Sequence, residues 1–240
     1  MVARPRSNPR DPPMTRREEG SFPAMRVIRC AGRDVLTPEE AVAISAATRA
    51  GGVILFPTDT LYGLGVDPSS EVGLSALFRL KGRDPAKPLP VLLAEASLVE
   101  RYAAAIPAPW RVLMERFWPG PLTLLFAAIP GLPPGICSAS GKVALRVPGN
   151  ALCRAVLRAA GGSLTGTSAN AAGAGGTGDP AIALRGIGGD AGGHRGGGID
   201  LFVNAGTLPS SPASTLLDVD ESGNVAILRK GAIPETDLQP

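Results

Sequence analysis

The apolar residues of this chain fall in short runs punctuated by glycine and proline, which limits it to brief strands and modest helices. Val53-Ile54-Leu55-Phe56 is stopped by Pro57, Val143 to Val147 by Pro148, and Leu122 to Phe126 follows Pro119-Gly120-Pro121. Such runs, rich in β-branched and aromatic residues, read as buried strands. Pro90 to Leu93 reads as a further strand, and Ser214 to Val219 with Val225 to Arg229 as a closing β-pair. Helix signals lie between them. Thr37-Pro38-Glu39-Glu40 combines an N-cap, a proline in the first turn and a capping-box glutamate, predicting a helix to about Ala50 before Gly51-Gly52. A second helix is expected after Ser70, carrying Leu74, Leu77, Phe78 and Leu80. Ser97 to Glu100 reads as the start of another capped helix, and Asn150 caps one through Ala159.

Strands and helices alternate without a heptad or a repeat, so the expected class is α/β, with helices packed on a mixed sheet. The expected organisation is a disordered tail over residues 1–25, one domain over 26–232, and a short tail over 233–240. The glycine-rich stretch 171–198 is expected to be a long flexible loop interrupted by a short helix near Pro180 to Leu184.

Charge placement excludes some functions. The net charge is +3, but the first 25 residues hold five arginines against Asp11, Glu18 and Glu19, leaving the body nearly neutral. With aromatics at only 4%, neither a basic stripe nor a base-stacking surface is apparent. The three cysteines (Cys30, Cys137, Cys153) form no CxxC pair, which suits reduced thiols in a cytoplasmic protein. No run approaches the roughly 18–20 apolar residues of a membrane span, and the arginine-bearing start has no apolar signal core. No membrane partner is expected.

Three segments carry chemistry. Pro57-Thr58-Asp59-Thr60-Leu61-Tyr62-Gly63-Leu64-Gly65 directly follows a strand, where ligand sites of open α/β sheets lie; it reads equally as a turn satisfying its own backbone. Arg79-Leu80-Lys81-Gly82-Arg83-Asp84-Pro85-Ala86-Lys87 packs four cations against one acid, either a solvated helix end or a clamp for phosphate oxygens. Ser168-Ala169-Asn170 offers short hydrogen-bonding side chains for a turn or a small polar ligand. Arg146 stands apart, because it sits in an expected core strand and a buried arginine needs a carboxylate, phosphate or carbonyl partner.

Other matches are decoys. Gly173-Ala174-Gly175-Gly176-Thr177-Gly178 fits GxGxxG, but no buried strand feeds it and no ribose-binding acid follows. Gly141-Lys142 lacks the rest of a P-loop. The single histidine, His194, cannot build a catalytic triad or a multi-histidine metal site, and no resident metal is expected.

Taken in order, PTDTLYGLG (57–65), KGRDPAKPL (81–89), FWPGPLTL (117–124), ALRVP (144–148), SAN (168–170), ASTLLD (213–218) and ILRKG (227–231) resemble the YrdC/Sua5 family. The resemblance implies a twisted mixed sheet with flanking helices and a concave basic face. It implies an enzyme forming threonylcarbamoyl-AMP and pyrophosphate from L-threonine, bicarbonate or CO₂, and ATP with Mg²⁺. A downstream threonylcarbamoyl-transferase complex would pass the group to a tRNA adenosine, with direct tRNA contact a further possibility. By position, Thr60, Arg146, Ser168 and Ser214 match contacts to L-threonine. Lys81, Arg83, Lys87, Lys142, Asn170, Thr177 and Arg229 match contacts to ATP, with Lys81 and Arg83 the expected catalytic cations. One departure stands out: where many members have a histidine, this chain has Leu92. The alternative readings are an RNA- or ribosome-binding module of the same fold and a sister carbamoyl-adenylate enzyme.

Overall fold

A computed structural model describes residues 25–84, 86–170, 175–188, 198–220 and 224–238. In chain order the elements are β1 (Arg26–Arg29), α1 (Pro38–Arg49), β2 (Ile54–Pro57), β3 (Tyr62–Gly65), α2 (Glu71–Lys81), β4 (Val91–Leu93) and α3 (Ala108–Phe117). There follow β5 (Leu122–Ala127), β6 (Lys142–Arg146), α4 (Ala151–Ala159), β7 (Ser163–Thr165), β8 (Thr167–Ser168), α5 (Pro180–Arg185), β9 (Leu201–Asn204), β10 (Thr215–Val219) and β11 (Val225–Arg229). The mixed α/β class expected from the alternation is the one observed. The strands divide, however, into two mixed sheets, ordered β1-β9-β2-β3-β8 and β11-β10-β5-β6-β4-β7.

Local signals explain most of the helices. Thr37 accepts from the Glu40 amide while the Glu40 carboxylate accepts from the Thr37 amide, a complete capping box stabilising α1 by about 1 kcal/mol. Ser70 and Asn150 cap α2 and α4 by the N-cap bond alone, accepting from the Gly73 and Cys153 amides. Gly82 ends α2 in the left-handed region, at φ +55°. The helix expected from Ser97 is instead a short 3-10 helix over Ala96–Arg101, with no side-chain cap at Glu95. Tyr102 and Ala103 both donate their amides to Val99 O, closing the chain there and sending it into a bridge with Ala128.

The two sheets meet where β3 runs into β7. Thr165 donates its amide to Val66 O, and its hydroxyl accepts from the Val66 amide. Strand β2 is buried on both faces: Ile54 and Phe56 pack with Ile44 of α1 and Val156 of α4, while Leu55 joins Leu64, Leu77 and Trp110 in the larger core. The indoles of Trp110 and Trp118 each reach a β5 carbonyl, so burying them leaves no donor unsatisfied. Met25 is buried, and Ile233 and Leu238 pack into the core, with the Ile233 amide held by the Thr215 hydroxyl. Residues 1–24 of the expected N-terminal tail, and 171–174 and 189–197 of the expected loop, lie outside the described residues; the short helix within that loop is α5. No helix among the described residues is long and apolar enough to cross a membrane.

The junction tolerates no added volume. A Cβ on Gly65 would strike Thr165 O and come within 2.9 Å of the Phe56 ring. Because one obstacle is backbone of the neighbouring sheet, Gly65→Ala is expected to destabilise the fold by about 2–3 kcal/mol, read as a lowered urea midpoint at constant m.

Candidate active site

Strand polarity gathers the polar residues at one end of the six-stranded sheet. Strand β10 runs parallel to β5, whereas β6 and β11 run antiparallel to them. The beginnings of β5 and β10 therefore meet the ends of β6 and β11, bringing Thr123 and Ser214 beside Arg146 and Arg229. The β2–β3 turn and β8 of the other sheet supply the opposite wall. The result is a cleft of about 310 Å³ lined by Thr60, Arg83, Arg146, Ser168, Ser214 and Arg229, with Thr58, Leu92, Thr123 and glycine backbone between them. All four expected threonine contacts lie here, with Arg83 and Arg229 of the expected ATP contacts.

Each of the three arginines is anchored the same way. Arg83 Nε donates to Lys87 O at 2.8 Å, Arg146 Nε to Gly120 O at 3.0 Å, and Arg229 Nε to Ser214 O at 3.1 Å. A second bond fixes each fork: Arg83 Nη2 to Pro88 O, Arg229 Nη2 to Ser214 Oγ, and Arg146 Nη2 to Asp59 Oδ1. A guanidinium has five N–H groups, so three on each arginine carry no partner among the described residues. Burial first, and then the Arg146 charge, hold the Arg229 guanidinium below its ordinary pKa. Like charges held together in a partly desolvated hollow make a site for anions.

The hydroxyls are oriented by what surrounds them. Thr58 Oγ1 donates to Leu61 O at 2.6 Å and accepts from the Thr60 and Leu61 amides, which ties down the turn. The two hydroxyls lie 3.1 Å apart, and Thr60 Oγ1 keeps acceptor capacity toward the cleft. Ser168 donates to Asn170 Oδ1 and is likewise left as an acceptor. Leu92, beside Arg146 in the β4–β6 register, forms an apolar wall. It fills the space a Cβ on Gly166 would need, at 2.7 Å.

Other expected site residues are placed differently. Lys81 is buried outside the cleft lining, and its ammonium donates to Ser168 O at 2.7 Å, to Asn170 O and to Asn170 Oδ1 at 3.2 Å. All three protons are engaged, so Lys81 shapes the 168–170 segment rather than presenting a donor to the cleft. Burial, with the Arg83 charge second, pushes its pKa down to about 8. Asn170 is buried with it. Lys142 does not face the cleft either: it grips both oxygens of Asp218 at 2.6 and 2.7 Å, and Val219 O at 3.3 Å. Lys87 is exposed on the loop that Arg83 folds. Thr177 lines an adjoining hollow that shares Thr60, Leu61 and Gly176 with the cleft and adds Asp179, Thr207, Ser210 and Ser211.

Sequence reading missed two contributors. Tyr62 donates its hydroxyl to Gly206 O at 2.7 Å and accepts from the Ala205 amide at 2.9 Å, binding β3 to the wall of the adjoining hollow. Its pKa is pushed up to about 12, mainly by burial. Asp59, read as a turn residue, is the carboxylate partner of Arg146. Among the described residues no group of three or more His, Cys, Asp or Glu side chains is placed to hold a metal ion.

Three anchored arginines and several hydroxyls in one cleft of a two-sheet α/β protein have the chemistry to engage a small anionic ligand carrying polar groups. The chain belongs to the Sua5/YciO/YrdC family, whose model, described as "Telomere recombination", matches residues 46–231. A threonylcarbamoyl-AMP synthase of Alkalilimnicola ehrlichii is 37% identical over 123 residues, 51% of this chain and 64% of that protein. A putative threonylcarbamoyl-AMP synthase of Mycobacterium leprae is 31% identical over 208 residues, 86% of this chain and 89% of that one. The structure of P. abyssi Sua5 complexed with L-threonine superposes with a TM-score of 0.74 at 26% identity, covering 88% of this chain and 59% of that one. E. coli YciO shares the fold at a TM-score of 0.71 and 20% identity, over 86% of this chain and 95% of that one. The matched region spans about 64% of the length of the first curated relatives.

If Lys81 organises the 168–170 segment, Lys81→Met leaves its carbonyl partners without a donor. Destabilisation of about 2–4 kcal/mol is expected, with faster deuterium uptake concentrated in the peptide holding Ser168 to Asn170. Uniform uptake across the chain would show that the lysine serves the whole core instead.

Proposed function

We propose that this chain is an L-threonylcarbamoyladenylate synthase, a nucleotidyl-transferring enzyme acting on L-threonine, bicarbonate or CO₂, and ATP. One observation carries the reading: Arg83, Arg146 and Arg229 converge on a single cleft whose remaining lining is hydroxyl-rich. The reaction needs two anions, an amino-acid carboxylate and a triphosphate, brought into one small space. The names of the relatives and the threonine bound in the P. abyssi neighbour support the same reading.

In the proposed arrangement Arg146 holds the threonine carboxylate, while the acceptor oxygens of Thr60 and Ser168 and the Ser214 hydroxyl receive its amine and alcohol. Leu92 supplies van der Waals contact for the methyl group. The amine nitrogen adds to the carbon of CO₂ and loses a proton, giving a carbamate. A carbamate oxygen attacks the α-phosphorus, the bond from that phosphorus to the bridging oxygen breaks, and pyrophosphate departs. Arg83 and Arg229 act on the charge of the phosphate oxygens, and preorganised cations in a partly desolvated cleft are effective there because they need not reorient. Thr177 belongs to the adjoining hollow, where the nucleoside end of ATP is placed. No carboxylate lines the cleft among the described residues, and the amine proton is assigned to solvent or to the substrates.

Magnesium is proposed only as the companion of ATP. The described residues hold no carboxylate cluster for it, and Asp59 is committed to Arg146. Mg²⁺ habitually keeps phosphate and water ligands, which fits a cation arriving with its nucleotide. The product is proposed to pass to a transferase complex that modifies tRNA.

The direct test incubates the chain with isotopically labelled bicarbonate, L-threonine and ATP and weighs the nucleotide product. Label in a threonylcarbamoyl adduct of AMP is expected; unadorned AMP or ADP as the sole product contradicts the proposal. Arg83→Ala is expected to lower threonine-dependent pyrophosphate release roughly a hundredfold, about 2.7 kcal/mol of transition-state stabilisation, with an unchanged circular dichroism spectrum. Release near the wild-type rate would remove Arg83 from the phosphate site.

A further inference from the structure

Of the three cleft arginines only Arg146 is buried, and only Arg146 has a carboxylate for its second bond. Asp59 stands on the turn that Thr58 fixes through bonds at 2.6 and 3.1 Å, so the carboxylate comes from a rigid support. Its Oδ1 accepts from Arg146 Nη2. On the other side, a Cβ on Gly149 would lie 3.1 Å from Asp59 Oδ2, so glycine there leaves the carboxylate its room. Arg146 from β6 pairs with Asp59, and the Cys153 thiol of α4 lies within reach of the charges of Asp59, Arg146 and Arg154. Arg154 is itself turned to Pro148 O and Gly149 O, both at 2.8 Å. Arg146 Nη1 keeps both hydrogens without a partner among the described residues.

We infer that Asp59 is a positioning residue of this cleft. It sets the Arg146 guanidinium so that Nη1 meets the ligand's carboxylate, and it offsets one of the like charges that Arg146 and Arg229 bring together. Arg146 thus has its in-chain partner without the ligand, and the ligand meets a fork already held at Nε and Nη2. Preorganisation of this kind lowers the cost of binding, because the side chain is ordered beforehand. The inference rests on the reading of L-threonine as substrate, and it concerns threonine affinity alone.

The test is steady-state pyrophosphate release, with KM for L-threonine and for ATP measured separately in wild type, Asp59→Ala, Asp59→Asn and Gly149→Ala. Asp59→Ala is expected to raise the threonine KM about tenfold or more while kcat and the ATP KM stay within about threefold. Asp59→Asn, which keeps an oxygen acceptor, should recover most of that loss. Gly149→Ala leaves the carboxylate in place but presses on Oδ2, and should raise the threonine KM in the same selective way; it carries the test if Asp59→Ala does not fold. A threonine KM that is unchanged or lowered overturns the inference, a lowered value meaning that Asp59 competes with the ligand. Both KM values rising together with a fallen Tm and no recovery in Asp59→Asn also overturns it, in favour of a structural role. Wild-type chain that releases no pyrophosphate with threonine overturns the substrate reading and the inference with it. Normal wild-type release with unmoved variants overturns the inference alone.

Discussion

Bringing three guanidinium groups to one small hollow is the constraint on which the rest of the structure depends. Charges of one sign repel, and burial, nearly complete at Arg146 and partial at Arg83, removes water that would screen them. Arg83, Arg146 and Arg229 answer this alike, each donating Nε to a backbone carbonyl that cannot move without its strand or loop. Fixing the Nε edge leaves the outer nitrogens for an anion and removes much of the entropy a free arginine would lose on binding. An anion in the cleft would offset that repulsion.

The fold places those carbonyls. Because β5 and β10 start where β6 and β11 end, residues distant in sequence share one rim of the six-stranded sheet. The other sheet closes over that rim at the β3–β7 junction, where Gly65 and Thr165 approach too closely for any side chain at position 65. Tyr62, buried in the same strand, extends the closure to the adjoining hollow through Ala205 and Gly206. Packing and binding surface are therefore parts of one design: the joint that unites the sheets also makes the cleft.

Much of this was legible in the sequence, for identifiable reasons. Capped helices α1, α2 and α4 announce themselves because Thr37, Ser70 and Asn150 satisfy amides within three residues, a local chemistry that needs no tertiary knowledge. Strands β2, β5 and β6 show as apolar runs because they are buried on two faces or in a sheet interior. Strand β3 was hidden by Gly63 and Gly65, which lower strand propensity yet are required where sheets touch. The division into two sheets was hidden because pairing order is a long-range property. The same applies at the site. Arg146 was conspicuous as a charge in an apolar strand, whereas its partner Asp59 lies 87 residues away. Lys142 looked available until Asp218, 76 residues on, is seen to hold it, and Lys81 until its three protons are traced to the 168–170 segment.

The most direct measurement of the central claim is a crystal structure of the chain with L-threonine and a non-hydrolysable ATP analogue. The account predicts both ligands in the one cleft, the amino-acid carboxylate on Arg146 and phosphate oxygens on Arg83 and Arg229, with the Nε–carbonyl bonds intact. Ligands bound on separate surfaces, or arginines that abandon their carbonyls to reach them, would contradict it.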